Sequence, residues 1–423
     1  MTKPLASMAN KKADRSFLGP AGTGDSDPEQ DSLMIKVFQF LAMCSFPFAQ
    51  FCSAVRRKGA LAVCLAVCTL GLSESARAQS FTIFDAPGAG TSPFEGTISF
   101  DINSAGEITG YYNDASNVRH GYLRALDGTF TTFDAPGAGT SPRRGTLSLG
   151  INPAGEVTGF YWDANHVQHG FLRTPKGTIT TFDAPGASTE PGSGTFAGNI
   201  NPAGVIAGSY SDANDVGHGF LRALDGTFTT FDAPGAGTGP GQGTFITLPD
   251  NISPAGAFAG NSVDASNVFH GFLRAPDGTF TTFDAPGAGS GPGQGTMVEG
   301  INPAGAIVVD YLDANNENHG LMRSPDGTFT TFDAPGAGTG PGQGTLPGTI
   351  STPGAIPGWY LDTNNVAHGF LRAPDGTLTT FDAPGAGTGP GQGTFPATIT
   401  PAGALTGYYI DAGNVHHGFL RRP

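Results

Sequence analysis

The chain has 423 residues, of which 38% are hydrophobic and 13% charged; it carries 66 Gly and 33 Pro and a formal net charge of −14. From Gln79 onward 29 acidic residues face 12 basic ones, a net −17, and Lys176 is the single lysine. Such a chain repels phosphate backbones and anionic lipid, so nucleic acid is not an expected partner.

The first 78 residues differ in composition from the rest. Arg56, Arg57 and Lys58 precede the apolar run "GALAVCLAVCTLGL", and an A-x-A box ends at Ala78. A positive segment, a short apolar segment and a small-residue box make residues 55–78 a secretory signal, too short to span a bilayer comfortably. Residues 1–54 read as a disordered or wrongly assigned extension, with the true start at Met34 or Val55. All four cysteines (Cys44, Cys52, Cys64, Cys68) precede the cleavage point. The mature chain, 79–423, therefore has no disulfide and no thiolate metal site. It is expected to be secreted or periplasmic, monomeric and not inserted in the membrane after cleavage.

Repetition dominates the mature chain. "TFTTFDAPGAGTGPGQGT" starts at Thr227, returns nearly unchanged at Thr328, and again at Thr377 with Leu378 for the first Phe. The dipeptide Phe-Asp of "FDAPG" begins at Phe84, Phe133, Phe182, Phe231, Phe283, Phe332 and Phe381, in steps of 49 residues with one step of 52. The long step contains "ITLPDNISPAG". "HGFLR", or a close variant, follows the same count.

Within residues 145–185 the turn residues mark four strands: "GTLSLGI", "EVTGFYWD", "QHGFLRT" and "TITTFDA". The connections "NPAG", "ANHV" and "PKG" are short, which makes an antiparallel meander. The long one, "PGAGTGPGQGT" in later copies, leads to the next first strand. No stretch carries a 3.6-residue apolar period. Seven such four-stranded units predict an all-β fold, a seven-bladed β-propeller of four-stranded antiparallel blades. The mature chain opens on a lone fourth strand and ends after a third, so the N-terminal strand is expected to complete the last blade and close the ring. An open solenoid of the same units is the alternative, and neither end has the look of a capping repeat.

The pattern "GINPAGEVTGFYWDANHVQHGFLR" resembles the bacterial extracellular-repeat family called HAF, after its His-Ala-Phe core, across all seven copies. Here Gly replaces Ala, and Arg stands where the family often has Trp. The resemblance implies a secreted bacterial propeller-like protein and no established activity.

The strongest constellation is D-x-x-N-x-x-H-G. It pairs Asp114 with His120, Asp163 with His169, Asp212 with His218, Asp264 with His270, Asp313 with His319, Asp362 with His368 and Asp411 with His417. The middle residue is Asn except at His166 and Asp215. Asp and His flank one hairpin loop and can bond across it, fixing the imidazole tautomer. A repeated metal or catalytic dyad is the sharper reading. A structural network is the expectation, because enzymes rarely keep seven equal sites.

The Gly-rich crossover lacks the lysine, the spacing and the following helix of a phosphate loop, and reads as a connector. The Asp of "FDAPG" reads as an Asx-turn residue. No calcium ladder is present, and no cofactor or metal is expected. Trp162, Trp359, Tyr111 and Tyr408 occupy second-strand positions where other copies have Ser209, Asn261 or Asp310, and are the candidate ligand-stacking residues. Glu95, Glu190, Glu299 and Glu317 are likewise unrepeated, and no two can be placed at glycosidase spacing from sequence. The expected function is a secreted binding or interaction module recognising extracellular carbohydrate or another surface component. The alternatives are a polysaccharide-active lyase or hydrolase with its site at a channel mouth, and a structural envelope protein.

Overall fold

A computed structural model describes residues 80–246 and 251–423. The signal segment, the extension before it, the cysteines and residues 247–250 lie outside the described residues. Those described form 28 strands and no helix. The fold is a β-propeller type built from four-stranded antiparallel units.

The first full unit is β2 (Gly96–Ile102), β3 (Ile108–Asn113), β4 (Arg119–Arg124) and β5 (Phe130–Phe133), paired in chain order. The next unit starts with β6 (Gly145–Ile151), and one parallel bridge, Arg119↔Gly145, ties it to β4. Equivalent bridges recur along the chain, at Gly217↔Gly243 and Phe269↔Gly295 for example. The first and last described strands, β1 (Ser80–Phe84) and β28 (His416–Arg422), pair antiparallel, from Ser80↔Arg422 to Phe84↔Gly418. A parallel bridge Gly96↔His416 and a bond from Thr398 Oγ1 to the Phe100 carbonyl (2.6 Å) join the first and last units.

Burial explains the residue choice. Strands β2 and β3 are buried along their whole length, because neighbouring units cover both faces. Strict polar alternation is therefore not required of them. The fourth strand sits outside: in β5 the two Phe are half-buried and Thr131 and Thr132 are exposed. Three residues apart on a strand means opposite faces. Phe130 accordingly packs with Phe84, Ile102 and Tyr122, and Phe133 with Val157, Tyr161 and Phe171 of the next unit. The cores thus lie between units. Phe171, Phe220, Phe272, Phe370 and Phe419, all from "HGFLR", are fully buried, each stabilising by about 1.5–3 kcal/mol.

Two features differ from the expected regular meander. The first strand carries a register shift in several copies, between Ser99 and Asp101 or Ser148 and Gly150 for example. An extra residue there bends and twists the strand locally. In the unit that carries the three-residue insertion the first strand is β14 (Gly243–Phe245), and past the undescribed residues 247–250 Ile252 makes an isolated bridge to Phe258.

Candidate binding rim

The loop between second and third strands and the crossover into the unit lie at the same end of each unit. Arg143 N–H of the crossover donates to the Asn117 carbonyl of the loop at 2.7 Å, and Gly241 does the same to Asp215. The loop is held by its aspartate: Asp114 Oδ1 accepts the backbone N–H groups of Ser116 and Val118, both at 2.8 Å. The middle residue of the motif, Asn117 and its equivalents including His166 and Asp215, has φ between 58° and 65°. Asn tolerates that left-handed conformation better than most residues. The motif's Asn is thereby explained by backbone geometry.

The crossover is fixed at both ends. The Thr beginning each first strand accepts the N–H of the Ala of "FDAPG", from Ala86 to Thr97 through Ala383 to Thr394, at 2.8–3.0 Å. In the later copies Gln242 Oε1 accepts the Gly239 N–H at 2.9 Å, and its Nε2 donates to Asn267 Oδ1 at 3.2 Å. Gly243 has φ +118°, and a Cβ there would collide with the Gly217 carbonyl of the preceding unit. The Gly/Pro stretch is therefore a connector with a defined path.

The histidines have a different principal partner from the one expected. Antiparallel third and fourth strands place Gly121 opposite Phe133, which sets His120 beside Asp134 one step along. His120 Nδ1 lies 3.0 Å from Asp134, whereas Nε2 is 3.4 Å from the loop residue Asp114. The pattern holds for His169–Asp183 (2.9 Å), His218–Asp232 (2.7 Å), His270–Asp284 (2.7 Å), His319–Asp333 (3.1 Å), His368–Asp382 (3.0 Å) and His417–Asp85 (2.9 Å). The last pair joins the first and last described strands. Loop partners stand farther off: Asp163, Asp212, Asp264, Asp362 and Asp411 are 3.5–3.9 Å from their Nε2 atoms. The "FDAPG" aspartates are thus imidazole partners, a role that the Asx-turn reading missed. The signal was available, since a fourteen-residue His-to-Asp spacing accompanies every hairpin.

Six of the seven imidazoles also stack on the tyrosine across from them on the second strand. Tyr112 on His120 sets the type, with centroids 4.9–5.1 Å apart in six copies; the fourth copy has Ser262 opposite His270. His side chains are 19–31% exposed and their fourth-strand Asp partners 51–61%. The hydrogen bonds that His120, His368 and His417 donate to Asp134, Asp382 and Asp85 raise the basicity of these imidazoles against the opposing effect of burial. At Asp114, Asp212, Asp264 and Asp313, burial pushes the carboxyl up but loop N–H donors win, and the pKa falls below the usual carboxylate value. The result is a set of similar, partly exposed Asp–His–Asp clusters.

Two of the four aromatic candidates, Tyr111 and Trp162, are corrected by burial. Tyr111 is 1% exposed and Trp162 9%, and both pack among Ile98, Leu147 and Phe160. Trp162 further covers His166 at 4.2 Å. It lies two residues beyond the register of the other three: Tyr111, Trp359 and Tyr408 face the Gly of "HGF", and Trp162 faces Gln168. Trp359 and Tyr408 are half-buried around Phe395, at 5.2 and 5.0 Å. Tyr111 and Trp162 therefore serve packing between units and do not present a face to a ligand, while Trp359 and Tyr408 keep part of their surface exposed.

Sequence reasoning missed a second repeated pair. The Arg of each "HGFLR" lies over the "FD" Phe of the preceding unit, with guanidinium carbon to centroid distances of 4.4–5.3 Å from Arg124–Phe84 to Arg421–Phe381. Such contacts contribute about 0.5–2 kcal/mol each. Among the described residues, Asp313, Glu317 and His319 bring three ligand-type side chains together, with one potential ligand atom each within 4.8 Å of the others.

No family model matches the chain, and no curated protein matches it. Solved structures do. A lectin from Burkholderia pseudomallei matches at 10% identity and a TM-score of 0.51, over 76% of this chain and 93% of that one. A lectin from Aleuria aurantia in complex with Fucα1-6GlcNAc gives a TM-score of 0.39 at 10% identity, over 80% and 93%. A puromycin hydrolase gives 0.45 at 15% identity, over 78% of this chain; the chain spans 55% of that protein's length. The first of these likenesses shows a shared fold, and at this identity shows the fold alone.

Proposed function

We propose that this protein is a secreted, closed seven-bladed propeller that acts as a multivalent binding module for extracellular carbohydrate or another surface component. The observation that carries the reading is the Asp–His–Asp cluster, repeated in each copy at the loop-and-crossover end and open to solvent on its fourth-strand carboxylate. Carboxylates and imidazoles held at fixed spacing can accept from and donate to the hydroxyls of a sugar. Weak sites presented several times on one scaffold gain strength by effective concentration. Sharing its fold with a lectin is consistent with this use. The seven repeats, the pairing of β1 with β28 and the bridge Gly96↔His416 support seven blades and closure. The signal segment and the resemblance to extracellular repeats support secretion.

A dense glycan array probed with residues 79–423 tests the binding. Retention is expected on some glycan at high surface density, much weaker toward the free oligosaccharide and nearly independent of salt. Asp232→Asn with Asp284→Asn should weaken it several-fold while the protein stays folded, with only a small loss of melting temperature. No retention on any glycan, or retention unaffected by those changes, would remove the carbohydrate reading from this rim.

A further inference from the structure

The geometry points to a single divalent transition-metal site in the fifth copy, formed by Asp313, Glu317 and His319, with zinc as the fitting ion. Six of the seven copies place a valine two residues before the histidine, at the end of the loop. Val118, Val167, Val216, Val268, Val366 and Val415 are buried at 5–8% exposure; the fifth copy has half-buried Glu317 there. The exchange puts a carboxylate where the other copies have an apolar side chain. Its neighbours are a second carboxylate and an imidazole, all with ligand atoms within 4.8 Å of one another.

The surroundings fit metal ligation. His319 Nδ1 lies 3.1 Å from Asp333. With its proton donated there, Nε2 keeps a lone pair, the arrangement by which a carboxylate orients a metal-binding histidine. Asp313 is held in place as well: Oδ1 accepts the N–H groups of Asn315 and Glu317 at 2.8 and 2.9 Å, and Oδ2 accepts Asn315 Nδ2 at 2.9 Å. Gln294 Nε2 ties the same loop through Asn316 Oδ1 at 3.1 Å. One imidazole with two carboxylates suits zinc. Calcium takes six to eight oxygens and gains nothing from the imidazole. A half-buried site with three protein ligands leaves a coordination position for water or a ligand group.

Zinc chloride titrated into metal-stripped protein (residues 79–423) by calorimetry is the test. One equivalent per chain is expected. Glu317→Val, which restores the residue of the other copies, should weaken binding at least ten-fold while leaving the melting temperature of the metal-free protein unchanged or higher. Asp333→Asn should weaken binding about ten-fold through the histidine's orientation. Val216→Glu in the third copy, beside Asp212 and His218, should add a second equivalent. No saturable binding, a stoichiometry near seven, unchanged affinity in Glu317→Val, or no second equivalent in Val216→Glu would each overturn the assignment.

Discussion

The fourth strand with its crossover is spelled nearly alike in every copy, whereas the second strand is not. On the fourth strand each residue does the same task at each joint: Phe takes the next unit's Arg over its ring, Asp holds an imidazole, and the Ala N–H meets a Thr hydroxyl. On the second strand, one position reads Tyr111, Phe160, Ser209, Asn261, Asp310, Trp359 and Tyr408. Several of these are matched to the following unit's first strand. Phe160 meets Phe196 at 4.9 Å, Trp359 meets Phe395 at 5.2 Å, and Asn261 Oδ1 accepts the Val298 N–H at 2.6 Å. Uniform spelling here follows from uniform geometry, and variation follows from pairwise complementarity.

The comparison can be broken where the uniform region has least room. Gly219 lies beneath the Phe231 ring, and a Cβ there would overlap the ring edge. Equivalent glycines meet the Phe of each copy. Gly219→Ala should therefore cost about 1–3 kcal/mol as the ring is displaced, read as a lowered midpoint in chemical denaturation. An unchanged midpoint would mean that the fourth strand yields freely and that its uniformity has no packing cause.

A smaller effect sharpens the electrostatic half of the comparison. The folded pKa of His120 lies above its ordinary 6.5, chiefly through Asp134. The charged pair's contribution is then fully present below about pH 6.5 and is lost as pH rises through the raised folded value. The pair is part-exposed, so it is worth roughly 1 kcal/mol or less. His120→Gln should melt below the unmodified protein by about 1–2 °C near pH 5.5, with the gap closing by pH 8.5. A gap that widens toward alkaline pH would contradict the assignment.

Much of this was legible in the sequence, for physical reasons. Turn residues at constant spacing mark four strands per copy, and the strands lie where "GTLSLGI", "EVTGFYWD", "QHGFLRT" and "TITTFDA" place them, trimmed at their ends. The loop Asp does meet its His, at 3.4 Å for Asp114 and His120, but the nearer partner was missed because sequence proximity favoured the loop, whereas cross-strand register puts Asp134 beside His120. Trp162 and Tyr111 were misread because their variation among copies looked like ligand specificity. Variation at a joint between units looks the same in one sequence. The bulges in the first strand carry no consistent residue type, with Phe100, Leu149 and Gly198 all at the shift, so nothing in the composition announces them.

Closure of the ring by β1 is the central claim, and a cross-link tests it directly. The chain from Gln79 has no cysteine, and Ser80 faces Arg422 across the β1–β28 pair. Facing residues in an antiparallel pair stand about 4.5–5.5 Å apart at Cα, within disulfide range. Ser80→Cys with Arg422→Cys, oxidised at low protein concentration, should give a monomer with one internal disulfide and a raised melting temperature, and each single variant should keep a free thiol. Disulfide-linked dimers, or a double variant that stays reduced, would mean that β1 does not complete the last unit and that the ring is open.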